Sequence, residues 1–77
     1  MEETLKKIMN DIFQIPENEI TDETAVENTE SWDSLKHMEL IACLEEEFDI
    51  TFTADEIVSM NDFSTIKQYI QNKGVEV

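Results

Sequence analysis

Apolar residues recur at three- and four-residue steps along most of this chain, and few residues interrupt them. Such spacing places the apolar side chains on one face of a helix. The first helix is predicted over residues 2–14, ending before Pro16. Its apolar positions are Leu5, Ile8, Met9, Ile12 and Phe13. Gly74 and Pro16 are the single glycine and the single proline, and no stretch alternates as a strand would, so the pattern predicts an all-α fold.

Three further helices follow from the same spacing. One is predicted over Ser34–Phe48, a short one over residues 53–59, and a last one over residues 64–72. Thr53 and Glu56 have the spacing of a capping box at the start of the short helix. The apolar positions of the last helix are Phe63, Ile66, Tyr69 and Ile70, with Gly74 just beyond its end. The expected architecture is a small four-helix bundle of three long helices and one short helix, with a long first loop.

That loop, residues 15–33, is rich in Asn, Thr, Glu and Asp. A connection of this length is unusual in a compact domain. Four side chains are expected to hold it against the helices: Ile20, Ala25, Val26 and Trp32. We therefore expect an ordered loop with a short turn.

Length and charge limit the classes of function. The 77 residues are enough for one domain, predicted to span residues 1–77. Five lysines against nineteen acidic residues give a net charge of −14. Such a surface repels nucleic acid and anionic lipid and attracts proteins with basic patches. We expect no nucleic-acid partner, no membrane insertion and a monomer.

Cysteine and histidine are too few for metal or disulfide chemistry. One Cys and one His leave no disulfide within the chain and no ordinary zinc site, so no metal site is predicted. Cys43 is expected to be a half-buried small apolar residue. The N-terminus does not resemble a signal peptide, and a cytoplasmic location is expected.

The helix over Ser34–Phe48 has two apolar faces where a small bundle needs one. One face, made of Leu40, Ile41, Leu44 and Phe48 with His37 among them, is a core face. The second lies nearly opposite and consists of Leu35, Met38 and Ala42, flanked by Glu39, Glu45 and Glu46. Scattered apolar residues are normal on a surface. An apolar face framed by acids also suits docking of a partner that carries positive charge.

Ser34 stands at the start of this helix, next to Asp33. Serine and aspartate both serve as N-caps, and an N-cap serine is commonplace. The other interpretation is an exposed hydroxyl at a loop–helix junction that an enzyme can reach. The residues at this position leave both interpretations open.

The string Asp33-Ser34-Leu35, continuing into Met38-Glu39-Leu40 and then residues 44–50, LEEEFDI, resembles the acyl carrier protein signature. The resemblance extends over nearly the whole chain. It implies that a phosphopantetheinyl transferase attaches the 4′-phosphopantetheine of coenzyme A to Ser34, with Asp33 and Leu35 as the flanking motif. It further implies that the arm carries acyl groups as thioesters, and that the chain itself catalyses nothing.

The resemblance also implies partners. Besides the transferase, these are acyl-loading, ketosynthase-type or acyltransferase enzymes with basic docking patches. They would bind the second helix through Leu35, Met38, Glu39, Ala42, Glu45 and Glu46. Trp32 departs from the commonest pattern and is expected either to line the attachment site or to hold the loop. Ser31, Lys36 and His37 depart as well, so the pathway is either fatty-acid synthesis or a specialised polyketide, aminoacyl or surface-glycan pathway.

Three alternatives accompany this interpretation. The chain could be an acidic adaptor that binds a basic partner without a prosthetic group, with Ser34 as a plain cap. It could be a small calcium-binding protein, although no window has the alternating oxygen ligands and central glycine of a calcium loop. A hydrolase built on Ser34 and His37 is not expected, because the sequence offers no strand-to-helix elbow.

Overall fold

The computed structural model describes residues 1–75 and contains four α-helices. Their bounds are Glu2–Phe13 for α1, Ser34–Phe48 for α2, Ala54–Ser59 for α3 and Phe63–Asn72 for α4. Two 3₁₀ turns, Glu17–Glu19 and Val26–Asn28, lie in the loop between α1 and α2. Within the described residues, β pairing is limited to an isolated antiparallel bridge between Ala25 and Asp62. The predicted all-α bundle, with three long helices and one short, is confirmed.

The helix ends agree with the predictions to within one residue, and local chemistry explains the differences. Gln14 adopts a left-handed conformation (φ 59°) and its N–H donates to Asn10 O at 2.9 Å, so α1 ends at Phe13. α4 begins at Phe63 because Asp62 is its N-cap, and the Asp62 Oδ1 accepts from the Thr65 N–H at 2.7 Å.

The core lies between α1, α2 and α4, with contributions from all three connections between the helices. Most of its buried apolar side chains come from the helical faces predicted by spacing, and the others come from the connections. They are Leu5, Met9, Ile12 and Phe13 of α1, Leu40, Ile41 and Leu44 of α2, Phe63, Ile66 and Ile70 of α4, and Ile20, Trp32, Phe52 and Met60 of the connections. Phe48 and Tyr69 pack against this core while remaining half-buried.

The long loop is held against the helices as expected, with one exception. Ile20, Ala25 and Trp32 are buried, whereas Val26 is 39% exposed, so the prediction for Val26 was wrong. The reason is that a backbone hydrogen bond, and not the valine side chain, holds the loop at this point. The Val26 N–H donates to Asn61 O at 2.9 Å, which leaves the valine side chain at the surface.

Cys43 is exposed, so its predicted half-buried position was also wrong. The core face of α2 is formed by fully buried residues such as Leu40 and Leu44. Cys43 is not among them and lines a surface hollow with Ile8, Glu46 and Glu47.

α3 differs from the other helices because none of its six residues is fully buried. Polar contacts hold its first turn. Thr53 and Glu56 form the predicted capping box, and Lys73 Nζ lies 2.9 Å from Glu56 Oε1. The hydrogen bond from the Thr53 N–H, followed by the Lys73 ammonium, lowers the pKa of Glu56 below its ordinary value of 4.5.

Lys67 joins α4 to two other parts of the chain. Its Nζ lies 2.6 Å from Asp22 Oδ1 in the loop and 3.2 Å from Glu2 Oε1 in α1. The hydrogen bond to Asp22 is the main cause that raises the pKa of Lys67 above 10.5. In the part of the chain that the structure describes, no helix is long and apolar enough to cross a membrane.

Candidate functional site

The N-terminus of α2 is capped by Asp33 and not by Ser34. The Asp33 Oδ1 accepts from the Lys36 N–H at 2.9 Å, and Asp33 has the extended backbone of an N-cap residue. Ser34 is the first residue of the helix and is exposed. The interpretation of Ser34 as the cap is therefore wrong. The adaptor hypothesis used that interpretation and loses its support.

This position has a favourable electrostatic character for an anion. The unpaired amides of the first turn and the dipole of a 15-residue helix place partial positive charge at the start of α2. The Lys36 ammonium in the same turn is paired with Glu39 at 3.7 Å, so the positive character comes from the backbone. A phosphodiester on the Ser34 oxygen would thus lie at the end of the helix that stabilises negative charge.

Trp32, two residues earlier, is buried with 4% of its surface exposed. Its ring stacks on Phe13 of α1 at a centroid distance of 4.8 Å. The indole Nε1–H donates to His37 Nδ1 at 3.0 Å. Trp32 also lines the groove beside Ser34, so the residue that holds the loop also borders Ser34.

His37 connects the loop, α2 and α3. Its Nδ1 accepts from Trp32, and its Nε2 lies 2.8 Å from Ile57 O of α3. One neutral tautomer satisfies both contacts, with the proton on Nε2 donated to Ile57. Because both ring nitrogens are occupied, His37 is not available as a base for Ser34.

A groove of about 490 Å³ opens beside Ser34, between the start of α2 and the end of α3. Three of its lining residues are exposed apolar side chains: Val26 (39%), Met38 (53%) and Val58 (69%). Asp33, Ser34, Trp32, His37, Ile57 and Asn61 complete the lining. The attachment residue predicted from sequence thus borders an apolar groove.

The second face of α2 is exposed as predicted. Leu35 is 71% exposed, and Met38, Glu39, Ala42 and Glu46 are also exposed. Glu39 pairs with Lys36 at 3.7 Å, an exposed contact that contributes little to stability.

Glu45 differs from the other acids of this face. Its side chain is half-buried, and its Oε2 accepts from the Phe52 N–H at 2.9 Å. The hydrogen bond connects the end of α2 to the segment that leads into α3. Glu45 therefore has a structural role at the edge of the face.

The sequence interpretation missed four residues of the groove as site residues: Val26, Ile57, Val58 and Asn61. No local signal distinguished them. Adjacent apolar residues such as Leu40 and Ile41 are both buried in the core, so the adjacent pair Ile57 and Val58 gave no sign that one of them is exposed. Ile57 is half-buried and Val58 is exposed.

Metal-ligating side chains are not grouped in the described part of the chain. Residues 1–75 contain no set of three or more His, Cys, Asp or Glu side chains placed to hold one ion.

Comparison with known proteins gives a consistent result. Residues 3–71 match the family described as phosphopantetheine attachment site. Two curated relatives are named acyl carrier protein. One, from Buchnera aphidicola subsp. Acyrthosiphon pisum (strain 5A), is 34% identical over 76 residues, covering 99% of this chain and 95% of the relative. The other, from Buchnera aphidicola subsp. Schizaphis graminum (strain Sg), is 34% identical over 73 residues, covering 95% and 92%.

A solved structure has the same fold. The solution NMR structure of a holo acyl carrier protein from Geobacter metallireducens superposes with a TM-score of 0.82 at 28% sequence identity. The match covers 94% of this chain and 83% of that one.

Proposed function

The chain belongs to the acyl carrier protein family, and from that membership we propose that Ser34 is the residue to which its phosphopantetheine is attached. The family is one of carriers and not of catalysts, and its cofactor is 4′-phosphopantetheine. The observation that carries the proposal is the position of Ser34. It is exposed at the first residue of α2, while Asp33 supplies the cap.

The attachment step uses the Ser34 hydroxyl as a nucleophile. The bond formed joins Ser34 Oγ to the phosphorus that bears the pantetheine, and the bond broken is the phosphorus–oxygen bond of the coenzyme A pyrophosphate. Adenosine 3′,5′-bisphosphate leaves, and the hydroxyl proton passes to a base of the transferase. Since the Ser34 oxygen has no capping role, modification does not remove the cap of α2.

The residues around Ser34 suit this group. Asp33 fixes the start of the helix, the first-turn amides that Asp33 does not cap favour the phosphate charge, and the neighbouring groove offers apolar walls. When bound, the arm supplies a thiol that holds an acyl group as a thioester. The chain itself provides a fixed attachment point at the start of a helix.

Members of this family interact with phosphopantetheinyl transferases and acyl-handling enzymes. We propose that such enzymes dock on the exposed face of α2 and contribute basic residues. Leu35, Met38 and Ala42 are the apolar contacts of this face, and Glu39 and Glu46 are charged contacts. Glu45 adds charge at its edge, with one carboxylate oxygen already engaged by Phe52.

We also propose that residues 1–77 act as one acyl carrier domain and that the protein is a monomer. It would work in the cytoplasm, in a fatty-acid or a specialised biosynthetic pathway. The net charge of −14 supports the prediction that neither nucleic acid nor a membrane is a partner.

Intact-mass measurement tests the attachment. The protein is incubated with coenzyme A, magnesium and a promiscuous phosphopantetheinyl transferase. The wild type is expected to gain one phosphopantetheine, and Ser34→Ala none. Ser64→Ala is the matched control, because Ser64 is also an exposed serine in the first turn of an aspartate-capped helix; it should be modified like the wild type. Modification of Ser34→Ala would contradict the proposal.

A further inference from the structure

We propose that Trp32 and His37 are positioning residues for the attachment at Ser34. Their side-chain hydrogen bond fixes the direction in which the chain enters α2, and it does so only while His37 is neutral. This inference rests on the proposed attachment at Ser34 and adds a requirement on the residues around that serine.

Trp32 and His37 occupy two positions whose side chains often hold the start of a helix. With Asp33 as the N-cap, Trp32 is the residue before the cap and His37 is the fourth residue of α2. A contact between these positions, called a staple, fixes the angle at which the chain enters the helix. α3 has apolar residues at the same two positions, Phe52 and Ile57. In α2 the pair is polar, and a hydrogen bond joins it.

The geometry of the pair is that of a staple. The Trp32 Nε1–H donates to His37 Nδ1 at 3.0 Å, and the two ring centroids are 6.1 Å apart. Trp32 also stacks on Phe13 of α1 at a centroid distance of 4.8 Å. Ser31, the residue before Trp32, donates its hydroxyl to Phe13 O at 2.9 Å. The chain is therefore tied to α1 and to the second turn of α2 immediately before the cap, and Ser34 follows the cap directly.

The hydrogen bond depends on the charge of His37. Its Nε2–H donates to Ile57 O at 2.8 Å, so Nδ1 is the nitrogen that accepts from Trp32. A second proton on the ring goes to Nδ1 and turns this acceptor into a donor that faces the indole N–H. Trp32 is 4% exposed, and a buried N–H without a partner is costly. Protonation of His37 therefore releases the staple and leaves the contact with Ile57 in place.

Charged side chains around the pair do not take over this bond. Those within two residues of Phe13, Trp32, His37 or Ile57 are Asp11, Glu30, Asp33, Lys36, Glu39, Asp55 and Glu56. Asp33 caps α2, and Lys36 pairs with Glu39. Glu56 pairs with Lys73. The carboxylates attract a positively charged ring, whereas the indole N–H opposes the proton on Nδ1. The second effect acts at the bond itself and decides whether the staple forms.

Loading measured against pH tests the proposal. The kcat/KM for phosphopantetheine attachment is measured with coenzyme A and a promiscuous transferase from about pH 8 to about pH 5, the range in which histidines change charge. His37→Asn is the matched variant, because it places an acceptor oxygen as far along the side chain as Nδ1 and does not titrate. Dividing the wild-type value by the His37→Asn value at each pH removes the pH dependence of the transferase.

The ratio is expected to be close to unity at the alkaline end and to fall as His37 gains its proton. His37→Leu and Trp32→Phe each remove one partner of the bond and should load about tenfold more slowly than the wild type, since misplacement of a reacting group lowers its rate. Ile70→Val shortens a buried side chain of α4, so it controls for lost stability and should load normally. A ratio that stays constant, or normal loading of His37→Leu, would overturn the proposal. If His37→Leu does not fold, the ratio decides.

Proton NMR follows the hydrogen bond itself. Trp32 and His37 are the single tryptophan and the single histidine of the chain, so their ring signals are unambiguous. In the wild type, the indole N–H signal should move upfield with the same midpoint as the imidazole C–H signals. In His37→Asn the indole signal should stay constant. A wild-type indole signal that does not follow the charge of His37, or a His37 that stays neutral over the whole range, would refute the pH-dependent staple.

Failure of this proposal is distinguishable from failure of the proposed function. A wild-type protein that gains no phosphopantetheine at any pH would refute attachment at Ser34. A wild-type protein that is loaded at Ser34 with a ratio independent of pH would leave the attachment in place and refute the positioning roles of Trp32 and His37.

Discussion

Asp33 and Ser34 have separate roles at the start of α2: Asp33 caps the helix, and Ser34 presents a hydroxyl at the surface. Asp33 accepts from the Lys36 N–H at 2.9 Å and so satisfies a first-turn amide of α2. The Ser34 hydroxyl is left exposed at the same helix end. If Ser34 were also the cap, modification would alter the oxygen that accepts the hydrogen bond from the first-turn amide. The pair therefore separates the stability of the helix from the chemistry proposed for the serine.

Replacement of the cap tests this division. Asp33→Ala should lower the free energy of unfolding by about 1 kcal/mol, within a range of roughly 0.5–2 kcal/mol, because the Lys36 amide loses its acceptor. Asp33→Asn is the matched control, since it keeps a side-chain oxygen and should cost much less. Urea denaturation measures both. Equal stability of Asp33→Ala and the wild type would show that the cap contributes nothing.

The sequence was a better guide to the candidate site residues than to the contacts that those residues make. Ser34 and its neighbours were found because their order along the chain carries the motif. The contact of His37 with Ile57 joins residues twenty positions apart, and no local pattern encodes it. The exposure of Val26 was missed for a similar reason, since it follows from a backbone hydrogen bond to Asn61.

Among the elements, α2 combines a core face with an exposed face. Leu40 and Leu44 are fully buried, while Leu35 and Met38 are 71% and 53% exposed. The bounds and both faces of this helix could be predicted, because helical periodicity is a local property. The groove could not, because it depends on where α3 crosses the start of α2, and that position is set by long-range contacts.

Substitutions on the exposed face should affect partners and leave the fold unchanged. Met38→Glu and Glu39→Lys are each expected to slow acyl transfer from the carrier to its enzymes, since one removes an apolar contact and the other reverses a charge. Circular dichroism should report unchanged helix content. Glu47→Lys is the matched control, because it makes the same charge reversal at an exposed position outside the face. Unimpaired transfer by both face variants would remove the proposed docking surface.

The first turn of α3 should respond to acid through Glu56. Its pKa is lowered in the folded protein by the Thr53 N–H and by Lys73. A lowered folded-state pKa contributes stability that is fully present above the ordinary value of 4.5 and is lost as the pH falls through the folded value. Glu56→Gln keeps an oxygen for the capping box but lacks the charge.

The wild type should therefore be more stable than Glu56→Gln at neutral pH, and the difference should shrink as the pH falls below 4.5. Urea midpoints of the two proteins across this range measure the effect. A difference that stays constant, or grows in acid, would mean that the charge of Glu56 does not stabilise α3.

For the whole molecule, the dominant property is the net charge of −14 on 77 residues. Two of the five lysines form ion pairs between elements of the fold: Lys67 with Asp22 and Glu2, and Lys73 with Glu56. Most of the acidic groups face solvent and repel one another. This charge distribution favours basic partners and works against the compact state.

Salt should relieve that repulsion. Raising the ionic strength from about 0.01 M to about 1 M shortens the screening length from about 30 Å to about 3 Å. The unfolding midpoint is expected to rise over this range, as measured by calorimetry with sodium chloride and, as a control for ion identity, potassium chloride. A midpoint that falls with both salts would indicate that attractive ion pairs outweigh the repulsion.

The most direct measurement of the central claim is to locate the modification within the chain. The wild-type protein is treated with coenzyme A and the transferase, digested, and its peptides are fragmented in a mass spectrometer. We expect the phosphopantetheine on Ser34 alone among the four serines, Ser31, Ser34, Ser59 and Ser64. Fragments that place it on another residue, such as Ser31, whose hydroxyl donates to Phe13 O in the folded structure, would contradict the account.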